Sequence, residues 1–298
     1  MKTFKTVFLA FIVAVAASYG VLKLHNSPGD VSRETSAQKE SVYERVMRTG
    51  TIRCGYGVWP PYIVKSPGNG ELSGIFYDYM EKLGRRLSLD IKWTEEMGWG
   101  EFPAALNAGR IDVFCSPAWR SGGRARMVDF VRPVTVQPSI VIVKAGDTRF
   151  DNNLAALDKP GVTFVHIEGG AEAQLAKIYF PDARMTDLQQ ISQPSEVFLN
   201  ITTGKADATV SNLSTYADFA EEHQDKVRKV QGIPPLQLAS ESITVARGEY
   251  KLRRMLEIGT DELLRIGAID KIIQKYGREK QIFIPYISYK KVGNKNVK

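Results

Sequence analysis

One arginine is the residue of this chain best placed to do chemistry. Residues 112–130 read DVFCSPAWRSGGRARMVDF, an apolar start, a polar bend through Gly122 and Gly123, and then Arg124. The apolar and β-branched run of residues 111–115 predicts a short central strand, which Ser116, Pro117 and the glycine pair are expected to break into a loop. A guanidinium just past such a bend presents a planar fork of donors that fits a carboxylate bidentately, at roughly 1.5–3 kcal/mol per charge-assisted contact once water is excluded. Arg120 and Arg126 flank it, so the same spacing also suits a solvated surface cluster. A second feature is Gly169-Gly170, a turn expected to open a helix whose free N–H groups suit an anion. Glu168 and Glu172 beside it are acids of the kind that a helix N-terminus favours.

Other reactive side chains are sparse. Cys54 and Cys115 sit near the ends of predicted strands and suit either a disulfide in an oxidising compartment or two buried thiols. With only His25, His166 and His223 available, and neither cysteine beside a histidine, the residues support no metal site, no cofactor and no cysteine protease.

Elements must hold these groups in place, and strand and helix patterns alternate throughout, which predicts an α/β fold. Phe76, Met80, Leu83 and Leu87 share one helical face, and Leu89, Ile91 and Trp93 then alternate as in a strand. The phrase LNAGRID, residues 106–112, reads as a helix end, a glycine stop and a strand start, and LNITTGKAD, residues 199–207, repeats it. Each is followed by a short apolar strand ending at a serine, Ser116 or Ser211. The repetition implies two lobes of similar topology whose strand ends face each other across a cleft. Two extended crossings are expected between them, near residues 139–144 and 240–247.

At 298 residues and 43% hydrophobic content the chain can bury two such cores. Its charge of +7 is modest, and Lys2, Lys5, Lys290, Lys291, Lys295 and Lys298 supply part of it near the ends, so no nucleic-acid stripe is indicated. Residues 1–25 resemble an export signal: Lys2 and Lys5 precede an apolar run from Val7 to Ala17, and Ala14, Ala16 and Ser18 suit a peptidase. Extended to Leu22, the same run would serve as an uncleaved inner-membrane anchor. Residues 26–47 read as a spacer and residues 286–298 as a basic tail.

The order of motifs resembles family 3 extracellular solute-binding proteins, the periplasmic receptors of ABC importers. The resemblance rests on residues 50–53 (GTIR), 59–62 (WPPY), 74–84, 99–112 and the 112–130 stretch, and extends loosely to Tyr276-Gly277. It implies a two-lobed type II periplasmic binding protein fold, each lobe a sheet flanked by helices, joined by two hinge crossings. Lobe 1 would comprise residues 48–138 with 245–285, and lobe 2 residues 139–244. It also implies a periplasmic monomer that is no enzyme, closes on a small carboxylate-bearing solute and meets a membrane permease. By the family's pattern Arg124 clamps the carboxylate and Trp59 and Trp99 sandwich the ligand body. Ser116 matches a polar strand-end position, and Ser211-Asn212 with Gly169-Gly170 close the far side.

Two departures bear on the ligand. Pro117 and Trp119 stand where the family carries small residues, so Trp119 is expected to limit ligand size, and Asn212 replaces the aspartate that pairs with an α-ammonium. Two other readings remain open at this point. Cyclohexadienyl dehydratases resemble the same family, with Glu168 or Glu172 as the acid that expels a leaving group. A ligand sensor acting through a separate protein would keep the lobes without transport.

Overall fold

The computed structural model describes residues 40–285 apart from Gln224. The export signal of residues 1–25 and the basic tail of residues 286–298 lie outside the described residues.

The first helix, α1 (Val42–Thr49), occupies the end of the stretch read as spacer, because Ser41 and Glu44 form a reciprocal capping box and Gly50 stops the helix in a left-handed conformation. There follow β1 (Thr51–Tyr56), the small hairpin β2 (Val64–Lys65) and β3 (Leu72–Ser73), α2 (Ile75–Leu87), β4 (Asp90–Glu96), α3 (Phe102–Asn107) and β5 (Val113–Trp119). The short α4 (Gly122–Ala125) and β6 (Val128–Phe130) precede a ten-residue strand, β7 (Thr135–Lys144). Beyond it lie β8 (Thr163–Ile167), α5 (Ala171–Tyr179), β9 (Arg184–Leu188), α6 (Pro194–Thr202), β10 (Ala208–Asn212), α7 (Leu213–Glu222) and β11 (Val227–Lys229). The chain returns through β12 (Gln237–Ala246) and ends its regular structure in α8 (Tyr250–Arg265) and α9 (Ala268–Lys275).

One mixed sheet runs β4-β1-β5-β12-β7-β10-β8-β9, with β6 added on β12 and β11 on β7. Parallel pairs lie at both ends, β4-β1-β5 and β10-β8-β9, and the middle is antiparallel. The two long strands explain this. Thr135 to Ser139 pair with Glu241 back to Gln237; β7 then runs on beside β10, whereas β12 runs on beside β5. Each strand thus belongs to both halves.

Strand β5 does not break where expected. It continues through Ser116 and Pro117 to Trp119, every residue buried. Proline lacks a ladder donor, and β12 accommodates it with a register shift between Ser242 and Thr244, before pairing resumes at Ala118 and Trp119. Burial on both faces, as central strands require, accounts for the unbroken apolar reading.

Burial of one helical face positions the rest. Phe76, Tyr79, Met80 and Leu83 of α2 are wholly buried, and the Tyr79 hydroxyl meets Thr260 of α8 at 2.7 Å. A second cluster forms around Val143, Leu157, Phe164, Ala176 and Val210, with Phe164 stacked on Phe180 at 4.7 Å. Cys54 and Cys115 form a disulfide: β1 and β5 are neighbours, and the two Cα atoms stand 5.6 Å apart. Asp112, buried at the foot of β5, accepts from the Arg53 backbone N–H (2.6 Å) and guanidinium (2.8 Å), and also pairs with Arg45 of α1. No helix among the described residues is long and apolar enough to cross a membrane.

Candidate functional site

A narrow cleft opens beyond the strand ends, lined by Trp59, Trp99, Pro117, Trp119, Arg124, Ala171, Glu172 and Asn212. Arg124 sits there on the four-residue α4, whose N-cap Ser121 accepts from the Arg124 backbone N–H at 3.3 Å. Of the three neighbouring arginines it alone is buried, at 4% exposure. Its Nη2 donates to the Gly169 carbonyl at 3.0 Å, and the guanidinium lies 5.5 Å from the Phe102 ring centre. No carboxylate among the described residues comes within ion-pair distance of it. Burial lowers its pKa to about 10, only partly offset by Glu172. A cation so desolvated gains from any anion that enters.

The opposite wall is the start of α5. Gly169 has φ of 75°, and a Cβ there would stand 2.6 Å from the Gly100 backbone nitrogen, so only glycine lets the two walls approach this closely. Gly100 N–H donates to Gln190 at 3.2 Å across the same seam, and Trp59 Nε1 donates to Thr215 of α7 at 3.0 Å. Glu172 lines the cleft with its carboxylate turned back on the N–H groups of Ala171 and itself; burial raises its pKa, and those donors and Arg124 oppose the shift. The carboxylate therefore occupies the anion-favouring helix end expected at Gly169-Gly170.

A second, small chamber shares Trp59 and Glu172 with the first and is otherwise lined by His166, Ile167, Pro194, Val197, Phe198, Thr209, Val210 and Ser211. His166 fills the gap where β8 and β10 cease to pair: its Nε2 accepts from Val210 N–H at 3.3 Å, and its Nδ1 has no protein partner. Burial holds its pKa near 3, so the ring is neutral.

The sequence-derived residues separate into groups. Trp59, Trp99, Trp119, Arg124 and Asn212 meet in the cleft, the Gly169 carbonyl touches Arg124, and Ser211 lines the second chamber. Ser116 does not join them. Its hydroxyl donates to the Gly57 carbonyl and accepts from the Gly57 N–H, both at 2.9 Å, and so holds the loop after β1. The indoles of Trp59 and Trp99 meet each other edge to face, 85° apart with centroids at 5.3 Å, which leaves no slot between them for a sandwiched ligand. Glu241, Gln137 and His166 had no sequence signal: in SESITV, VQPSI and TFVHI they read as ordinary strand residues.

Residues 52–279 match the family model of bacterial extracellular solute-binding proteins, family 3. The chain belongs to this family. Among relatives of this solute-binding protein, the "Probable histidine-binding protein" of Campylobacter jejuni is 25% identical over 283 residues, covering 94% of this chain and all of that one. The L-arginine-binding protein of Pseudomonas aeruginosa is 25% identical over 232 residues, 76% of this chain and 87% of that one. In structure, an ancestral amino acid-binding protein, a precursor of cyclohexadienyl dehydratase, superposes with a TM-score of 0.70 at 23% identity, over 79% of this chain and 99% of that one. A mutant of ArgBP from T. maritima also gives 0.70, at 20% identity, over 80% of this chain and all of that one. The fold is the two-lobed α/β architecture of type II periplasmic binding proteins.

Proposed function

We propose that the protein is a periplasmic binding protein for a small carboxylate-bearing solute, an amino acid or close relative, which it delivers as a monomer to an ABC-type permease. The observation that carries the reading is Arg124, a buried guanidinium in the cleft with no carboxylate among the described residues in ion-pair reach. The ligand carboxylate takes the remaining Arg124 donors, Trp119 and Pro117 bound the space beside it, and Trp59 and Trp99 form an apolar corner against the ligand body. Relatives named for histidine and arginine binding support this class of ligand.

Closure in this reading brings residues 48–138 with 245–285 against residues 139–244, bending β7 and β12 where they pair. The Gly100–Gln190 and Trp59–Thr215 bonds span the seam and belong to the closed state. Calorimetric titration of the purified protein with common amino acids, beside Arg124→Ala, tests the assignment; unchanged affinity in the variant refutes it. Glu172 lines the cleft with a raised pKa, the property a dehydratase acid needs, so incubation with prephenate and arogenate is the companion assay. Binding without turnover is the expected outcome.

A further inference from the structure

Asn212 lines the cleft and carries an acceptor that no group among the described residues uses. It is 1% exposed; its Nδ2 donates to Glu241 Oε1 at 3.0 Å, and its Oδ1 has no partner. Behind it, Glu241 is wholly buried where β7 and β12 cross. Thr135 Oγ1 donates to its Oε2 at 2.5 Å and Gln137 Nε2 to its Oε1 at 2.6 Å. Gln137 cannot turn round, because its Oε1 already accepts from the Ser214 N–H (3.1 Å) and hydroxyl (2.7 Å). Three donors therefore converge on the carboxylate, but no lysine or arginine among the described residues forms an ion pair with it.

A carboxylate held this way lacks a counter-charge, and a buried charge without one is costly. The Asn212 amide links it to the cleft. With Glu241 ionised, Nδ2–H must point inward to it and Oδ1 outward, so the cleft meets an acceptor whose dipole is polarised by a full negative charge behind it. Arg124 lines the same cleft and takes an anion.

We propose that Glu241, acting through the Asn212 amide, supplies the negative charge that holds a ligand ammonium group beside the carboxylate on Arg124, and so selects zwitterionic α-amino acids without touching them. The inference rests on the ligand reading given above. It also supplies the charge lost where this chain carries Asn212 in place of an aspartate.

The groups facing Glu241 fix how it responds to pH. From β7 come Thr135 and Gln137, and from the β10–α7 junction Asn212. The loop after β1 brings the Tyr62 phenol, which also bonds Gln137 and Ser214, α5 brings Glu172, and β5 sets Trp119 opposite it in register. Of these only Tyr62 and Glu172 titrate, and neither is cationic. Burial raises the Glu241 pKa to about 7, and Glu172 adds to the rise. An ammonium at Asn212 favours the ionised form, so binding lowers this pKa and releases a proton. Affinity should accordingly rise between about pH 6 and pH 8.

The test compares L-arginine, L-histidine and 5-guanidinopentanoic acid, which keeps the carboxylate and guanidinium of arginine and lacks its α-ammonium. Wild-type protein should prefer L-arginine to the ammonium-free analogue by about 100-fold, and Glu241→Gln should reduce that ratio about tenfold or more. Titrations at pH 7 in buffers of different ionisation enthalpy should show release of about half a proton by the wild type and none by Glu241→Gln. Asn212→Ala, which keeps Glu241 and removes the relay, should lower the ratio in the same way; it carries the test if thermal melts show that the glutamine variant does not fold. An unchanged ratio, or unchanged proton release in Glu241→Gln, overturns the role of Glu241 and leaves the Arg124 site standing. Loss of all binding in the wild type to the common amino acids overturns both.

Discussion

Replacing Arg124 by methionine separates ligand binding from folding, because the substitution keeps an apolar stem against Phe102 and removes only the charged fork. In the ligand-free protein the guanidinium makes one bond to Gly169 and lies against the Phe102 ring. Set against these, the drop of its pKa to about 10 means that burial penalises the charged form. At neutral pH, well below that value, the folded chain carries this penalty in full. The two effects oppose each other, so the ligand-free melting temperature should move by no more than about 3 °C, which for a chain of this size is about 1 kcal/mol. Binding should respond very differently. Removing one member of a buried, hydrogen-bonded charge pair costs about 2–5 kcal/mol, or about 30- to 5,000-fold in Kd. Calorimetry with L-arginine and L-histidine, and a thermal melt of each protein without ligand, are sufficient. An affinity within about threefold of wild type would refute the carboxylate assignment. A ligand-free melting point lower by 10 °C or more would instead make Arg124 a structural residue, since about 3 kcal/mol would then come from contacts within the protein.

Three further outcomes are expected. The Cys54→Ser/Cys115→Ser protein loses a cross-link across a sequence separation of 61 residues, which on chain-entropy grounds is about 4 kcal/mol and roughly 10 °C in melting temperature; equal melts with and without reductant would contradict this. Asp112→Asn leaves Arg45 and Arg53 facing a neutral amide at the foot of β5 and should cost about 3–5 kcal/mol in denaturant unfolding without altering ligand preference. Trp119→Ala should widen the range of ligands bound to include bulkier ones, read in a thermal-shift panel, at a stability cost of about 3–5 kcal/mol; an unaltered panel would show that the indole does not limit ligand size.

Local signals account for most of what could be read from the residues. Helix α2 follows from the spacing of Phe76, Met80 and Leu83, and Gly50, Gly109 and Gly204 mark chain reversals that only a left-handed residue makes cheaply. The failures occurred where a partner distant in sequence decides the outcome. Pro117 looked like a strand breaker because its missing N–H matters only if the neighbouring strand needs it, and the shift in β12 removes that need. Ser116 looked available to a ligand until Gly57, 59 positions earlier, took both of its hydrogen-bonding roles. The indoles of Trp59 and Trp99 could be placed at the cleft, whereas their mutual angle depends on packing that spacing does not encode.

By itself the sequence determined the alternation of strands and helices, the two-lobed family fold and the prominence of Arg124. These follow from hydrophobic period, turn chemistry and motif order, all of which act within short stretches of chain. Only the tertiary structure decided that Cys54 reaches Cys115, that Glu172 turns back on its own helix end, and that Glu241 stands behind Asn212. Glu241 lies 104 positions from Gln137 and 29 from Asn212, so its environment exists only once β7, β10 and β12 have paired. Read alone it is a polar residue in a strand; the antiparallel crossing buries it with no cation among the described residues paired to it.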